Sequence, residues 1–300
     1  MSGQLKEVRG RITSVKSTQQ ITKAMKMVSA AKLRKAQNAI TEMRPYADRL
    51  NKMLINILSN LDGEASTSFG KERPVESACL VIITSDRGLC GGFNTNIVKQ
   101  AITVLEGKYA EVYKAGKLTI MPVGKKGFDA LKKRYANATI DKTFIGLNGN
   151  LDWEHISEVP NLLMESFTNG TFDDITVCYS KFRNAAVQDP YAVQYLPVAK
   201  IEAEEKEGDI KDAKSDYIFE PDTNTLLENL VPSILQTTFQ KFLFDNRAGE
   251  HGARMSAMDK ATENAEDLMN DLKIFYNKAR QEAITKELSE IVGGAAALGG

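Results

Sequence analysis

Apolar and small side chains recur at alternating steps of three and four toward the C-terminus: Met255, Met258, Thr262, Ala265, Met269, Leu272, Tyr276, Ala279 and Ala283. That alternation turns one stripe of a helix toward a partner along its whole length, a heptad seam. Leu5, Val8, Ile12 and Val15 begin a similar seam at the other terminus. Ala36, Ile40, Met43, Ala47, Leu50, Leu54, Ile57 and Leu61 continue its apolar face. Residues 1–60 hold one proline, Pro45, and two glycines, Gly3 and Gly10. The pattern predicts a helix over 3–58, about 80 Å long and kinked near residue 44 by Pro45. A second helix is expected from Thr223 to about Val292, bent early by Pro232 and least helical through Phe244–Gly252 (FDNRAGEHG). Two terminal helices flanking a globular insert predict a rod with a foot.

Between them the period changes. After a polar linker, 62–74, Cys79–Thr84 (CLVIIT) is a short unbroken β-branched run of the kind a buried parallel strand needs. Further strands are expected at Lys117–Val123, Thr139–Ile145, Ile175–Lys181 and Val193–Val198. Helices are expected at Asn94–Leu105, Lys125–Tyr135 and 152–168, the last with Asp152 as N-cap. Strands alternating with helices predict a small α/β sheet. Residues 201–222 are acidic and poor in core residues, and the tail, GGAAALGG, is small and uncharged.

Composition narrows the chemistry. The chain has 300 residues, 42% hydrophobic and 26% charged, enough for one or two domains with a real core. No run approaches a membrane span, and the N-terminus has no secretory h-region. Three cysteines without CxxC spacing imply neither a disulfide frame nor a zinc site. Two histidines are too few for a histidine-based cluster. Net charge is zero but polarised: residues 1–41 carry nine Lys/Arg against one acid, and residues 201–300 carry eleven against twenty. Part of this asymmetry cancels if the ends pair antiparallel. A surplus that stays exposed favours an acidic partner, and an acidic protein and a nucleic acid both fit that field, although the chain has no recognisable nucleic-acid module.

The strongest local site candidate is the turn TSDRGLCGGFNTN, Thr84–Asn96. A glycine-rich turn between strand and helix is where phosphates bind. It lacks both GxGxxG and GxxxxGK[ST], and Gly88, Gly91 and Gly92 equally serve a tight turn and close helix–sheet packing. Cys90 reads as a small buried thiol rather than a nucleophile. Asp173–Asp174 reads as a solvated turn rather than a metal site, and Trp153 and Tyr276 read as core.

Four blocks together, ITKAMKMVSAAKLRKA (Ile21–Ala36), TSDRGLCGGFN (Thr84–Asn94), ARMSAMDKATENA (Ala253–Ala265) and YNKARQEAITKELSEIV (Tyr276–Val292), closely resemble the gamma subunits of F-type ATP synthases. The resemblance implies an antiparallel coiled coil of the terminal helices with an inserted Rossmann-like α/β domain. It divides the chain into an N-terminal shaft helix (1–61), a central α/β foot (75–200), an acidic arm (201–222), a C-terminal shaft helix (223–292) and a small-residue tip (293–300). It implies a non-catalytic rotor with no cofactor and no metal. The implied partners are the alpha, beta, epsilon and delta subunits and the c-ring, with no nucleic acid. Its implied place is the cytoplasmic face of a bacterial membrane. The family's coupling positions fall on Lys23, Met25, Lys26, Arg254, Gln281 and Thr285. Two other classes stand beside it: a nucleotide-binding α/β enzyme using Thr84–Asn96, and a basic coiled-coil adaptor for nucleic acid.

Overall fold

The computed structural model describes residues 2–59, 68–149, 151–198 and 223–298. The expected acidic arm, most of the expected linker (62–67) and the last two residues of the tail lie outside the described residues. Two helices dominate: α1 (Ser2–Ser59) and α6 (Thr223–Leu298). Between them lie β1 (Ala78–Ile83), α2 (Phe93–Glu106), α3 (Ala110–Lys114), β2 (Leu118–Val123), α4 (Lys125–Leu131), β3 (Thr139–Ile140), α5 (Trp153–Thr168), β4 (Asp174–Phe182) and β5 (Gln188–Leu196). The chain divides into two compact units, residues 1–30 with 254–300, and residues 31–253.

The first unit is an antiparallel helix pair. In α1, Leu5, Val8, Ile12, Val15, Gln19, Thr22, Lys26 and Ser29 are buried or half-buried at alternating steps of four and three. In α6 every position of the expected seam, Met255 to Ala283, is buried or half-buried while most of its neighbours are exposed. Three contacts set the register. Arg9 Nη2 donates to the Tyr276 hydroxyl at 2.7 Å, the Thr22 and Thr262 hydroxyls meet at 2.8 Å, and Lys26 pairs with Asp259 at 2.5 Å. The residue numbers of each pair add to 284 or 285, as one constant antiparallel register requires.

The second unit is built on a five-stranded sheet of order β3-β2-β1-β4-β5, parallel except for β5, which pairs antiparallel with β4. The sheet is covered on both faces, which is why β1 is apolar at every position. Cys79, Val81 and Ile83 pack with α5 (Ile156, Val159, Leu163) and α6 (Leu235, Phe239, Phe242). Ala78, Leu80 and Ile82 pack with α2 (Ile97, Ala101, Leu105) on the other face.

Several local expectations change. The strand expected at Thr139–Ile145 ends at Ile140 and gives way to turns and a short 3-10 segment, Leu147–Gly149. The final strand begins earlier than expected, at Gln188, and runs through Pro190; on an edge strand a missing N–H breaks no ladder in the interior. Asp152 occupies the N-cap position of α5 but makes no side-chain cap bond. α1 continues through Pro45 and α6 through Pro232. The stretch expected to be least helical, Phe244–Gly252, is continuous helix and among the most buried parts of α6. Its glycines allow close approach: a Cβ on Gly249 would stand 3.0 Å from the Phe93 ring, and one on Gly252 3.1 Å from the Ala185 backbone. Asn246 Oδ1 accepts the Ser180 N–H at 3.1 Å. Tertiary packing overrides the poor helix propensity of these residues.

The seam's small residues carry a prediction. Ala265 and Ala279 are buried between two helices, so Ala265→Leu or Ala279→Leu should overpack the pair and cost about 1–3 kcal/mol. Ile284→Leu, on the exposed side, should leave thermal unfolding unchanged. Equal melting temperatures for all three variants would refute the packing.

Buried Asp245 supplies another. Burial pushes its carboxyl up to about 6, although Lys241, Lys181 and Arg44 pull it down. The folded state therefore holds the proton more tightly than the unfolded chain does. That contribution is complete below the unfolded value of 3.8 and is lost as pH rises through about 6. Asp245→Asn should gain on the order of 1–3 kcal/mol over the parent at pH 8, and nothing below pH 4. Unfolding curves with the same offset at both pH values would contradict it.

Candidate functional site

In the sheet, the chain leaves β1 for β2 and β3 on one side and returns to β4 on the other, so the carboxyl end of β1 is the topological switch point where open α/β sheets bind ligands. The turn Thr84–Asn96 occupies it, with Ser85, Cys90 and Asn94 engaged within it. Ser85 N–H donates to Asn94 Oδ1 at 3.0 Å, Ser85 Oγ donates to the Arg87 carbonyl at 2.7 Å, and Asn94 Nδ2 donates to Cys90 Sγ at 3.2 Å. The first three amides of α4, which would face a bound phosphate, are also engaged. Lys125 N–H goes to Asp86 Oδ1 at 3.1 Å, Lys126 N–H to the Ser85 carbonyl at 3.1 Å, and Gly127 N–H to Thr84 Oγ1 at 2.8 Å. An aspartate carboxylate thus stands where an incoming phosphate would need positive charge.

The glycines differ in their reasons. Gly91 has φ 57° and follows Leu89 at φ 62°, so the turn needs the left-handed region there. Gly88 and Gly92 adopt no such conformation, and a Cβ on either would meet only ordinary contacts, with Lys126 and Asn96. The strictest position is one the sequence reading missed. Gly124 has φ 114°, and a Cβ there would fall 2.1 Å from the Thr84 carbonyl oxygen. Its signal was a glycine at the end of an apolar strand run.

The three thiols are free and buried. Burial raises the Cys178 thiol to about 12 and pushes Cys79 higher still, with Asp141 adding to the effect. Neither forms a thiolate near neutral pH. Asp173 and Asp174 are not the solvated turn expected. Asp173 Oδ2 accepts from Ser77 N–H, Ser77 Oγ and Glu76 N–H at 3.0–3.1 Å. Burial opposes its ionisation, but those bonds outweigh it and hold the carboxyl below the usual range. Asp174 takes Lys108 at 2.7 Å and the Tyr109 hydroxyl, whose own proton is held well above the usual tyrosine range by burial and by Asp174. Among the described residues no group of three or more His, Cys, Asp or Glu is placed to hold a metal. Trp153, expected in the core, is 47% exposed. Tyr276 is half-buried under Arg9.

The helix pair holds the other site residues. Met25 is half-buried and Lys23 exposed, while Lys26 is already spent on Asp259. By the register, Met25 faces the stretch around Lys260. Arg254, itself buried, lies about six residues or roughly 9 Å along α6. Gln281 and Thr285 are not brought to Met25: they sit one turn apart on α6 beside a shallow groove with Lys278, Glu282 and Lys286. In that register Gln281 faces the first residues of α1, and Thr285 lies past its end.

The sequence matches the ATP synthase family over residues 4–298. It is 46% identical over 294 residues to the ATP synthase gamma chain of Cytophaga hutchinsonii, covering 98% of both chains. Identity is 47% over 296 residues with that of Christiangramia forsetii, covering 99% of both, and 42% over 294 residues with that of Chlorobaculum parvum, covering 98% of both. Among solved structures, a chain of the Euglena gracilis mitochondrial ATP synthase, OSCP/F1/c-ring in rotational state 3, has a TM-score of 0.64 at 23% identity, covering 99% of this chain and 95% of that one. A chain of the Euglena rotor in rotational state 1 has a TM-score of 0.61 at 22% identity, covering 95% of this chain and 100% of that one.

The turn yields a prediction about folding. Gly124→Ala should cost about 3 kcal/mol or more, because both the dihedral and the Thr84 carbonyl forbid it. Gly92→Ala should cost less than about 1 kcal/mol. Denaturant unfolding of the two variants ranks them, and the reverse order would contradict the packing.

Proposed function

The chain belongs to the gamma-chain family of ATP synthases, and from that premise we propose that it is the central rotor shaft of an F-type complex, coupling ion-driven rotation of the c-ring to ATP synthesis and hydrolysis. The observation that carries this is identity of 42–47% with bacterial gamma chains over nearly the whole length of both partners. The shaft makes no bond itself. That part of the reading is supported by the turn at the switch point, where Ser85, Cys90 and Asn94 bond one another and the Asp86 carboxylate repels phosphate. Alpha and beta subunits surround the helix pair, the epsilon and delta subunits belong to the same assembly, and the α/β unit rests on the c-ring. The chain then lies on the cytoplasmic face of the bacterial membrane; no described helix is long and apolar enough to cross one. Co-purification tests the assignment: tagged beta subunit should retain this chain together with alpha, and recovery of an alpha–beta complex without it would refute the role.

Coupling rests on contacts that break and reform. Exposed ion pairs, at about 0–1 kcal/mol each, suit that task. Met25 is flexible and uncharged, which suits a sliding contact. Lys26 is occupied by Asp259, and Lys23 forms no ion pair among the described residues. Met25→Lys would add an unspent cation to this patch. Against the acidic beta surface that the family presents, a new partly buried pair is worth about 1.5 kcal/mol or more, at least tenfold in the equilibrium of one step. Assembly should survive, and ATP-driven proton pumping should fall further than ATP hydrolysis. Both activities are measured on reconstituted complex; equal losses would indicate misassembly and refute the coupling role.

A further inference from the structure

Within the unit of residues 31–253, α1, α6 and the end of β4 enclose a half-open cleft of 430 Å³, within the ordinary range for small-molecule sites. Ile40, Met43 and Ala47 of α1, Ile234 and Phe242 of α6 and Phe182 of β4 supply apolar wall. Three cations line it as well, one from each element: Arg44, Lys181 and Lys241, all exposed. Asp245 lines the same cleft from a buried position, 6% exposed. Among the described residues it forms no hydrogen bond and no ion pair within 4.0 Å, although the three cations act on it through space. Its oxygens are not sealed in the core but open onto the cleft.

Charge selects the occupant. A cation drawn to Asp245 would have to pass three positive side chains. A neutral molecule gains nothing from them. An anion with an apolar body satisfies both the rim and the wall. We propose that this cleft binds a medium-chain anionic amphiphile of the fatty-acid class, its carboxylate held by Arg44, Lys181 and Lys241 beside Asp245 and its chain laid along the apolar wall. When protonated, Asp245 donates its hydrogen to the ligand carboxylate. When ionised, it repels it. The titratable and charged groups that face Asp245 are Lys241 on its own helix, Lys181 and Tyr179 on β4 and Arg44 on α1. Asp245 changes charge between pH 5 and 8, so binding should weaken as pH rises through about 6.

The probe is decanoate, titrated calorimetrically into the purified full-length chain and into the assembled complex, with decanol as the uncharged control. One saturable site per chain is expected, about tenfold tighter at pH 5.5 than at pH 8 and about tenfold weakened in Lys181→Gln/Lys241→Gln, an exposed pair whose loss leaves the fold intact. Asp245→Asn should flatten the pH profile and keep binding at pH 8. Ala47→Phe should abolish the site by filling it, with its melting curve recorded alongside. Absence of a saturable site overturns the proposal. So does decanol binding as tightly as decanoate, or a site indifferent to the double lysine variant. A site present in the free chain and lost in the complex overturns it too, in favour of a cleft filled by a neighbouring subunit.

Discussion

The contact between Thr22 and Thr262, with Lys26–Asp259 one turn away, decides which faces of α1 and α6 meet. An apolar heptad seam alone is permissive: sliding one helix by seven residues restores a similar stripe. Polar groups inside the seam are not permissive, because a slipped register leaves buried hydroxyls opposite methyls. Arg9 reaching Tyr276 applies the same condition nearer the end of the pair. The placement of Met25, Arg254 and Gln281 along the pair is therefore a consequence of a few polar contacts rather than of the hydrophobic pattern.

The α/β unit shows how far a one-dimensional reading reaches. The change of period after residue 78 was legible because a strand covered on both faces is apolar throughout, as β1 is and β2 is except at Thr119. The 3–4 alternation was legible in both long helices for the complementary reason. What escaped was whatever depends on a distant neighbour. Gly124 looks like any loop glycine until the Thr84 carbonyl is placed beside it. Asp173 and Asp174 look like a solvated turn until Ser77 and Lys108 arrive from other elements. Phe244–Gly252 looks like a helix break because propensity counts its glycines as a loss, whereas Phe93 and Ala185 need the space those glycines leave. The first half of β5 was invisible because Gln188, Asp189 and Pro190 carry no strand signal; antiparallel pairing with β4 recruits them. Of the candidate site, the turn was read from its glycines between a strand and a helix, the coupling positions came from block resemblance, and the spatial separation of Gln281 and Thr285 from Met25 was read from neither.

The switch point and the cleft are opposite electrostatic situations. At the end of β1, Asp86 is a carboxylate whose partners are already present: the Lys125 amide, with Asn148 nearby. It closes a site that the topology would otherwise leave open. In the cleft, burial of Asp245 outweighs the pull of Lys241, Lys181 and Arg44, so its proton is retained to a higher pH. An acid held by backbone amides marks structure, and one raised by burial beside an accessible volume marks a place for something else.

The distribution of side-chain size on the helix pair points outward in the same way. Its interior seam mixes large apolar residues with small ones, Thr22, Ser29, Thr262, Ala265, Ala279 and Ala283, which let the two axes approach closely. Larger apolar groups sit on the outside: Ile21, Met27 and Val28 on α1, and Leu268, Ile274 and Phe275 on α6. Past residue 283, where the register runs off the end of α1, Ile284, Leu288 and Ile291 recur at steps of four and three on a helix without a partner among the described residues, each more than half exposed. A helix pair meant to stand in water would expose fewer of those large apolar side chains. The pair is thus slender where it meets itself and apolar where it faces outward, which suits a central stalk that works within a larger complex.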